Sequence, residues 1–285
     1  MQKIWVCGAR GQIGQAVNDV VDKLEFEMLD TDVDDLDVTD TDEVLRFGEM
    51  NRPDIIINCS GMTDISSCEE NPSQAFKVNA LGARNLAIVA AKMQAKMVQL
   101  STDDVFDGKS TEPYTEFDIT NPGTVYGKSK LAGENYVKEF ATKHFIVRST
   151  WVYGKGQNFI NGFLKKVDAG EQLSIASDQF GSPTSANELA RFLLHLVHTS
   201  EYGTYHATNK GVCSRYAFAQ EILKMTGKTA SMQPVPTVMS DFSKVRPAYA
   251  VLDNFIMSMV PIYDFPDWQD SLREYLEERG LYHAE

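Results

Sequence analysis

Apolar positions recur along the first half of the chain in two alternating rhythms. The runs "KIWVCG", "DIIINCS" and "KMVQLSTD" are apolar at nearly every position. They read as buried strands, because a strand covered on both faces needs no polar side. Between them, "QIGQAVNDVVDKL", "DTDEVLRFGEMNR", "NPSQAFKVNALGARNLAIVAAKMQ" and "SKLAGENYVKEFATK" carry apolar residues three and four apart, the spacing of a helix with one buried face. "FEMLD" and "HFIVRSTWVYG" complete the strands. Strand and helix alternating in this way predict an α/β domain, a doubly wound parallel sheet with helices on both faces.

Past residue 154 the rhythm loosens. Helical segments "NFINGFLKKVDAG", "SANELARFLLHLVHTS" and "RYAFAQEILKMTG" are separated by proline-containing loops and short strand-like pieces. The expected organisation is a dinucleotide-binding domain over residues 1–154 and a smaller C-terminal substrate lobe over 155–285. Nothing near residue 150 resembles a tether, so the two should interleave, with about residues 178–210 returning to the first domain.

Composition narrows the function. With 285 residues, 43% hydrophobic and a net charge of -13, the chain has the make-up of a globular protein and lacks the basic footprint of a nucleic-acid or anionic-membrane binder. Cys7, Cys59, Cys68 and Cys213 show no metal-ligand spacing, so no metal site is expected, and Cys7 and Cys59 read as buried thiols. No signal peptide or membrane-length apolar run is present, which predicts a cytoplasmic protein.

The first strand runs into "GARGQIG", with Gly8, Gly11 and Gly14 opening a helix. Glycines allow a sharp turn and close approach to a pyrophosphate, and the helix N-terminus offers free N–H groups. In a βαβ setting this is a Rossmann-type nucleotide site. A ribose-binding acid belongs near the end of strand two, and Asp30 and Asp32 both qualify. No arginine stands among these acids in the sequence, so NADH is favoured over NADPH. Asp37 is either an adenine contact or an acid at the start of the next helix.

Tyr126 and Lys130, in "VYGKSK", lie four residues apart and share one helix face. A phenol is a sluggish acid at neutrality, and a neighbouring ammonium favours its ionised form. Such a tyrosine can donate a proton to a carbonyl oxygen as hydride reaches carbon. Thr102, with Ser101 beside it at a strand end, supplies a hydroxyl to steady that oxygen.

In that order these motifs, with "INCSGMTDISSCEENP", "FKVNALGARNLA", "LSTDDVFDG", "VRSTWVYG", "DQFGSPT" and "VRPAYAVLDN", resemble extended short-chain dehydrogenase/reductases over nearly the whole chain. More closely they resemble the dTDP-4-dehydrorhamnose reductases. The resemblance implies reduction of the 4-keto group of dTDP-4-dehydro-L-rhamnose by a reduced nicotinamide cofactor. It implies Thr102, Tyr126 and Lys130 as the catalytic trio, and Gln12, Ile13, Cys59, Ser60, Gly61 and Asn79, with Tyr126 and Lys130, in the cofactor site. Met62, Asp104, Trp151 and Arg246 fall in its substrate site, Arg246 facing the diphosphate.

The chain departs from that pattern in three places. Asp104 replaces a tyrosine of "STDYVF". The "MTDIS" loop has Ser66 where an acid is usual. Ala16 and Asn187 stand where some relatives place magnesium-binding glutamates, so a monomer or a homodimer without magnesium is expected. Two other readings remain open: a nucleotide-sugar dehydratase or epimerase using "TDD", and a nucleotide-binding regulatory subunit without catalysis.

Overall fold

The structure, a computed structural model, describes residues 1–239 and 248–283. The first half runs β1 (Gln2–Cys7), α1 (Gln12–Val20), β2 (Phe26–Thr31), α2 (Thr41–Asn51), β3 (Ile55–Asn58), α3 (Ile65–Glu70), α4 (Pro72–Phe76), α5 (Ala83–Met93), β4 (Lys96–Thr102), α6 (Val125–Phe140) and β5 (His144–Ser149). The second half runs β6 (Val152–Tyr153), α7 (Phe159–Asp168), β7 (Leu173–Ala176), β8 (Phe180–Gly181), β9 (Thr184–Ser185), α8 (Ala186–His198), β10 (Gly203–His206), β11 (Cys213–Ser214), α9 (Arg215–Thr226), β12 (Met232–Val235), α10 (Phe255–Met259) and α11 (Trp268–Glu278).

Six strands form one sheet in the order β10-β5-β4-β3-β1-β2, every neighbouring pair parallel. This is the doubly wound α/β sheet that the strand–helix rhythm predicts. Successive side chains of β1 go to opposite faces, as strand geometry requires. Ile4 and Val6 join Leu189, Phe192 and Leu193 of α8 on one face, while Trp5 and Cys7 join Val44 of α2 and Leu86 and Ala87 of α5 on the other. A separate apolar cluster, with Tyr153, Phe163, Phe218 and Leu272, centres on α7, α9 and α11. Both α8 and β10 thus complete the first sheet from the second half of the chain.

After β2 the chain crosses β1 to place β3 on its other side, so the winding reverses between β1 and β3. A crevice opens outside the carboxyl ends of the strands at such a reversal. No helix among the described residues is long and apolar enough to cross a membrane.

Two elements differ from the sequence reading. "HFIVRSTWVYG" is two strands, because Trp151 adopts a left-handed φ of 47° that stops β5 and re-aims β6. The long helix expected over residues 71–94 is broken into α4, a π-type stretch over Lys77–Gly82, and α5. Such single-turn π insertions gather at functional sites, and this one carries Asn79.

Candidate active site

The glycine turn is built by contact. Gly8 has φ 76°, and a Cβ there would stand 2.8 Å from the Ser60 nitrogen; a Cβ at Gly14 would stand 2.3 Å from the Gly8 oxygen. Those approaches bring the start of α1, the end of β1 and the segment after β3 together. A hollow of 380 Å³ results, walled by Gly8, Gly11, Asp32, Asp37, Ser60 and Met62 among others. It shares Gly11 and the Cys59–Gly61 segment with a larger cleft of 510 Å³. Together they offer an elongated site beside a glycine turn, which fits a dinucleotide.

Thr102, Tyr126 and Lys130 all line the larger cleft, with Gln12, Ile13, Trp151 and Asp103. Tyr126 sits in the first turn of α6, which Thr124 caps by accepting from the Gly127 nitrogen at 2.9 Å. A Cβ at Gly127 would come within 2.0 Å of the Asp104 oxygen, so glycine lets α6 seat against the end of β4. The Thr102 hydroxyl donates to the Asp103 carboxylate at 2.9 Å, whose other oxygen accepts from Thr150 at 2.8 Å.

Lys130 is 5% exposed. Burial pushes its ammonium down to about 8, against the opposing pull of Glu134 and the Cys59 thiol. Below that value the lysine is charged, and above it the charge is lost. If that charge supports proton transfer, activity holds at neutral pH and falls as pH rises through about 8. A pH–rate profile flat to pH ~10, the ordinary lysine range, would contradict this.

One turn on, Glu134 is fully buried and receives the Arg148 guanidinium at 2.9 and 2.7 Å and the Ser101 hydroxyl at 2.6 Å. Arg148 also faces the His206 ring at 3.4 Å. Burial and the Arg148 charge push that imidazole down to about 3, so it stays neutral. Asn79 clamps the loop after β3 to α6. It accepts from the Met62 nitrogen at 2.8 Å, donates to the Met62 oxygen at 2.9 Å and donates to Ser129 at 2.9 Å.

A family model described as the RmlD substrate binding domain matches residues 1–280. The chain belongs to the dTDP-4-dehydrorhamnose reductase family. A solved dTDP-4-dehydrorhamnose reductase from Clostridium acetobutylicum is 40% identical, with a TM-score of 0.95 and coverage of 98% of this chain and 100% of that one. One from Bacillus anthracis, in complex with NADP, is 35% identical with a TM-score of 0.94, again covering 98% and 100%. The spore coat polysaccharide biosynthesis protein SpsK of Bacillus subtilis is 35% identical over 281 residues, 98% of this chain and 99% of its own.

Within this reductase, the structure gathers most residues expected at the site but moves several of them. Asp30 is exposed and lies outside both hollows, whereas Asp32 walls the smaller one. β2 ends at Thr31, and the turn that follows swings Asp32 back to accept from the Arg10 nitrogen at 2.9 Å. Asp37 also walls that hollow; the cap of α2 is Asp40. Met62 lies in the smaller hollow, not along the cleft that holds Tyr126. Asp104, expected to face substrate, is 1% exposed and outside the cleft; the 3-10 turn after β4 presents Asp103 instead. Gly14 and Asn79 line neither hollow and act through the segments they hold. Arg246 lies outside the described residues.

The sequence reading missed Thr150, Phe159, Arg215 and Phe218, all on the cleft wall, and named Asp103 only for the dehydratase alternative. Arg215 carried one usable signal. It follows Ser214, a helix cap, and so places a cation in the first turn, where the helix dipole disfavours it.

Proposed function

We propose that this chain reduces the 4-keto group of dTDP-4-dehydro-L-rhamnose to dTDP-L-rhamnose. The observation that carries the reading is the convergence of Thr102, Tyr126 and Lys130 on one cleft beside the glycine turn. The smaller hollow, with Gly8, Gly11 and Asp32, would hold the adenosine half of the cofactor, and Lys130 and Tyr126 would face its nicotinamide half. A bound reduced nicotinamide supplies the hydride. Tyr126 gives its phenolic proton to the keto oxygen, the Thr102 hydroxyl turns from Asp103 to donate to that oxygen, and the Lys130 ammonium stabilises the phenolate left behind. Trp151 presents an aromatic wall to the sugar.

The cofactor we assign is NADH ahead of NADPH, because the Asp32 carboxylate suits a ribose diol and repels a 2′-phosphate. One finding narrows that gap. Arg10 comes from the glycine turn to stand 3.1 Å from Asp35, 3.3 Å from Asp34 and 3.8 Å from Asp32, a cation that the linear order of acids did not reveal.

The test is direct: purified protein, the 4-keto nucleotide sugar, and NADH or NADPH in parallel. Stoichiometric cofactor oxidation with formation of dTDP-L-rhamnose is the expected result. Release of a dehydrated or epimerised product without net cofactor use would identify the dehydratase or epimerase chemistry instead. Binding without turnover would identify a regulatory subunit. Equal efficiency with NADPH would overturn the cofactor assignment.

A further inference from the structure

Trp151 is held between two neighbours that differ in kind. On one side is Gly181, where an added Cβ would lie 2.6 Å from the indole ring, so backbone closes that face. On the other, the Arg215 guanidinium carbon stands 3.4 Å from the ring centroid and 4.8 Å from that of Phe159. The tryptophan backbone is held at a left-handed φ of 47°, a conformation that persists only where surroundings impose it. The ring therefore has one face that a ligand can reach, and Arg215 covers it.

Lys130 and Arg215 are the cationic side chains on the cleft wall among the described residues. Lys130 stands near Gly61, at the cofactor end, where a Cβ on that glycine would lie 3.7 Å from its nitrogen. Arg215 comes from the first turn of α9, in the other lobe, and is 9% exposed. A chain of net charge -13 repels a dianionic ligand at long range, so a local cation matters for holding one. A guanidinium is suited to this, since its planar fork stacks on aromatic rings and also binds phosphate oxygens in pairs.

We propose that Arg215 is the residue that reads the diphosphate of the nucleotide sugar, and that in doing so it leaves the face of Trp151 for the sugar to occupy. The inference rests on the nucleotide-sugar reading above. It goes further by making sugar stacking conditional on the diphosphate. Free hexose meets a covered ring, and a nucleoside without phosphates leaves the guanidinium where it is. Nucleotide recognition and placement of the keto carbon then share one side chain.

The experiment uses the full chain saturated with NAD, titrated by calorimetry with dTDP and with thymidine while near-ultraviolet circular dichroism follows the tryptophans. With the wild-type protein, dTDP changes the dichroism and thymidine does not, and Trp151→Phe removes the change. Arg215→Gln weakens dTDP binding by about 10- to 100-fold. It leaves thymidine and NAD binding within about threefold. Arg215→Lys, which keeps the charge and loses the fork, falls between. Unchanged dTDP affinity in Arg215→Gln overturns the proposal, and so does an equal loss for dTDP and thymidine, which would mark a packing role. Affinity loss without any Trp151 signal in the wild type overturns the uncovering step. Because these are binding measurements, a wild-type protein that binds dTDP through Arg215 yet turns over no keto sugar would sink the proposed reaction and leave this inference standing.

Discussion

Tyr126→Phe is expected to lower keto-sugar turnover by about 10²–10⁴-fold, the range for loss of a positioned proton donor. Cofactor affinity should stay unchanged. The ring of Tyr126 is 8% exposed and packs with Met62, Ile65, Cys68 and Ala75, contacts that phenylalanine keeps. The α6 backbone around it is fixed independently, by the Thr124 cap and by Gly133, where a Cβ would come within 2.4 Å of the Asn79 oxygen. The substitution therefore removes a hydroxyl and little else. Steady-state rates with a fluorescence titration of the reduced cofactor decide the matter. Parallel losses in rate and cofactor affinity would assign the tyrosine a structural role.

The largest stability effect belongs to Glu134. Its carboxylate and the Arg148 guanidinium are 0% and 3% exposed, so neither can fall back on water. Glu134→Gln leaves a buried cation without its counter-charge and should cost about 3–5 kcal/mol in urea or thermal unfolding. Replacing both partners together, as in Glu134→Leu with Arg148→Met, should recover most of that loss, because the desolvation of both charges disappears with them. The Lys138–Glu134 contact at 3.8 Å reaches a half-exposed lysine and adds little. Glu134 also pulls the Lys130 ammonium upward, so any Glu134→Gln protein that folds should lose activity at a lower pH than the wild type. An alkaline limb that stays in place would separate the two residues.

The sheet was legible because β1, β3 and β4 carry apolar side chains on both faces, a pattern no surface element produces. Glycine spacing located the turn that opens α1, and Tyr126 with Lys130 needed only helical geometry to meet in one cleft. The differences fall where a strand ends. Past Thr31 and Thr102, the turn decides which carboxylate lines a hollow, and period-two alternation no longer applies; hence Asp32 and not Asp30 walls the smaller one, and Asp103 and not Asp104 the cleft. The second half of the chain hides its wall residues for another reason. Strands of two residues, such as β6, β8, β9 and β11, are too short to show a period. Glu134 was readable in principle. It shares a buried stripe with Tyr126, Lys130 and Val137, where a lone acid calls for a partner.

The π-type stretch at Lys77–Gly82 carries one residue more than α-helical register would hold. That surplus lets Asn79 face the loop after β3 while Leu86 and Ala87, further along, still face the sheet. Deleting one residue within it would close the wide turn to an ordinary α-helical one and keep the flanking helices in phase. The aliphatic stripe would still face the core, and what would be lost is the bulge that aims Asn79 at Met62. The extra residue thus serves the asparagine and not the packing of the helix.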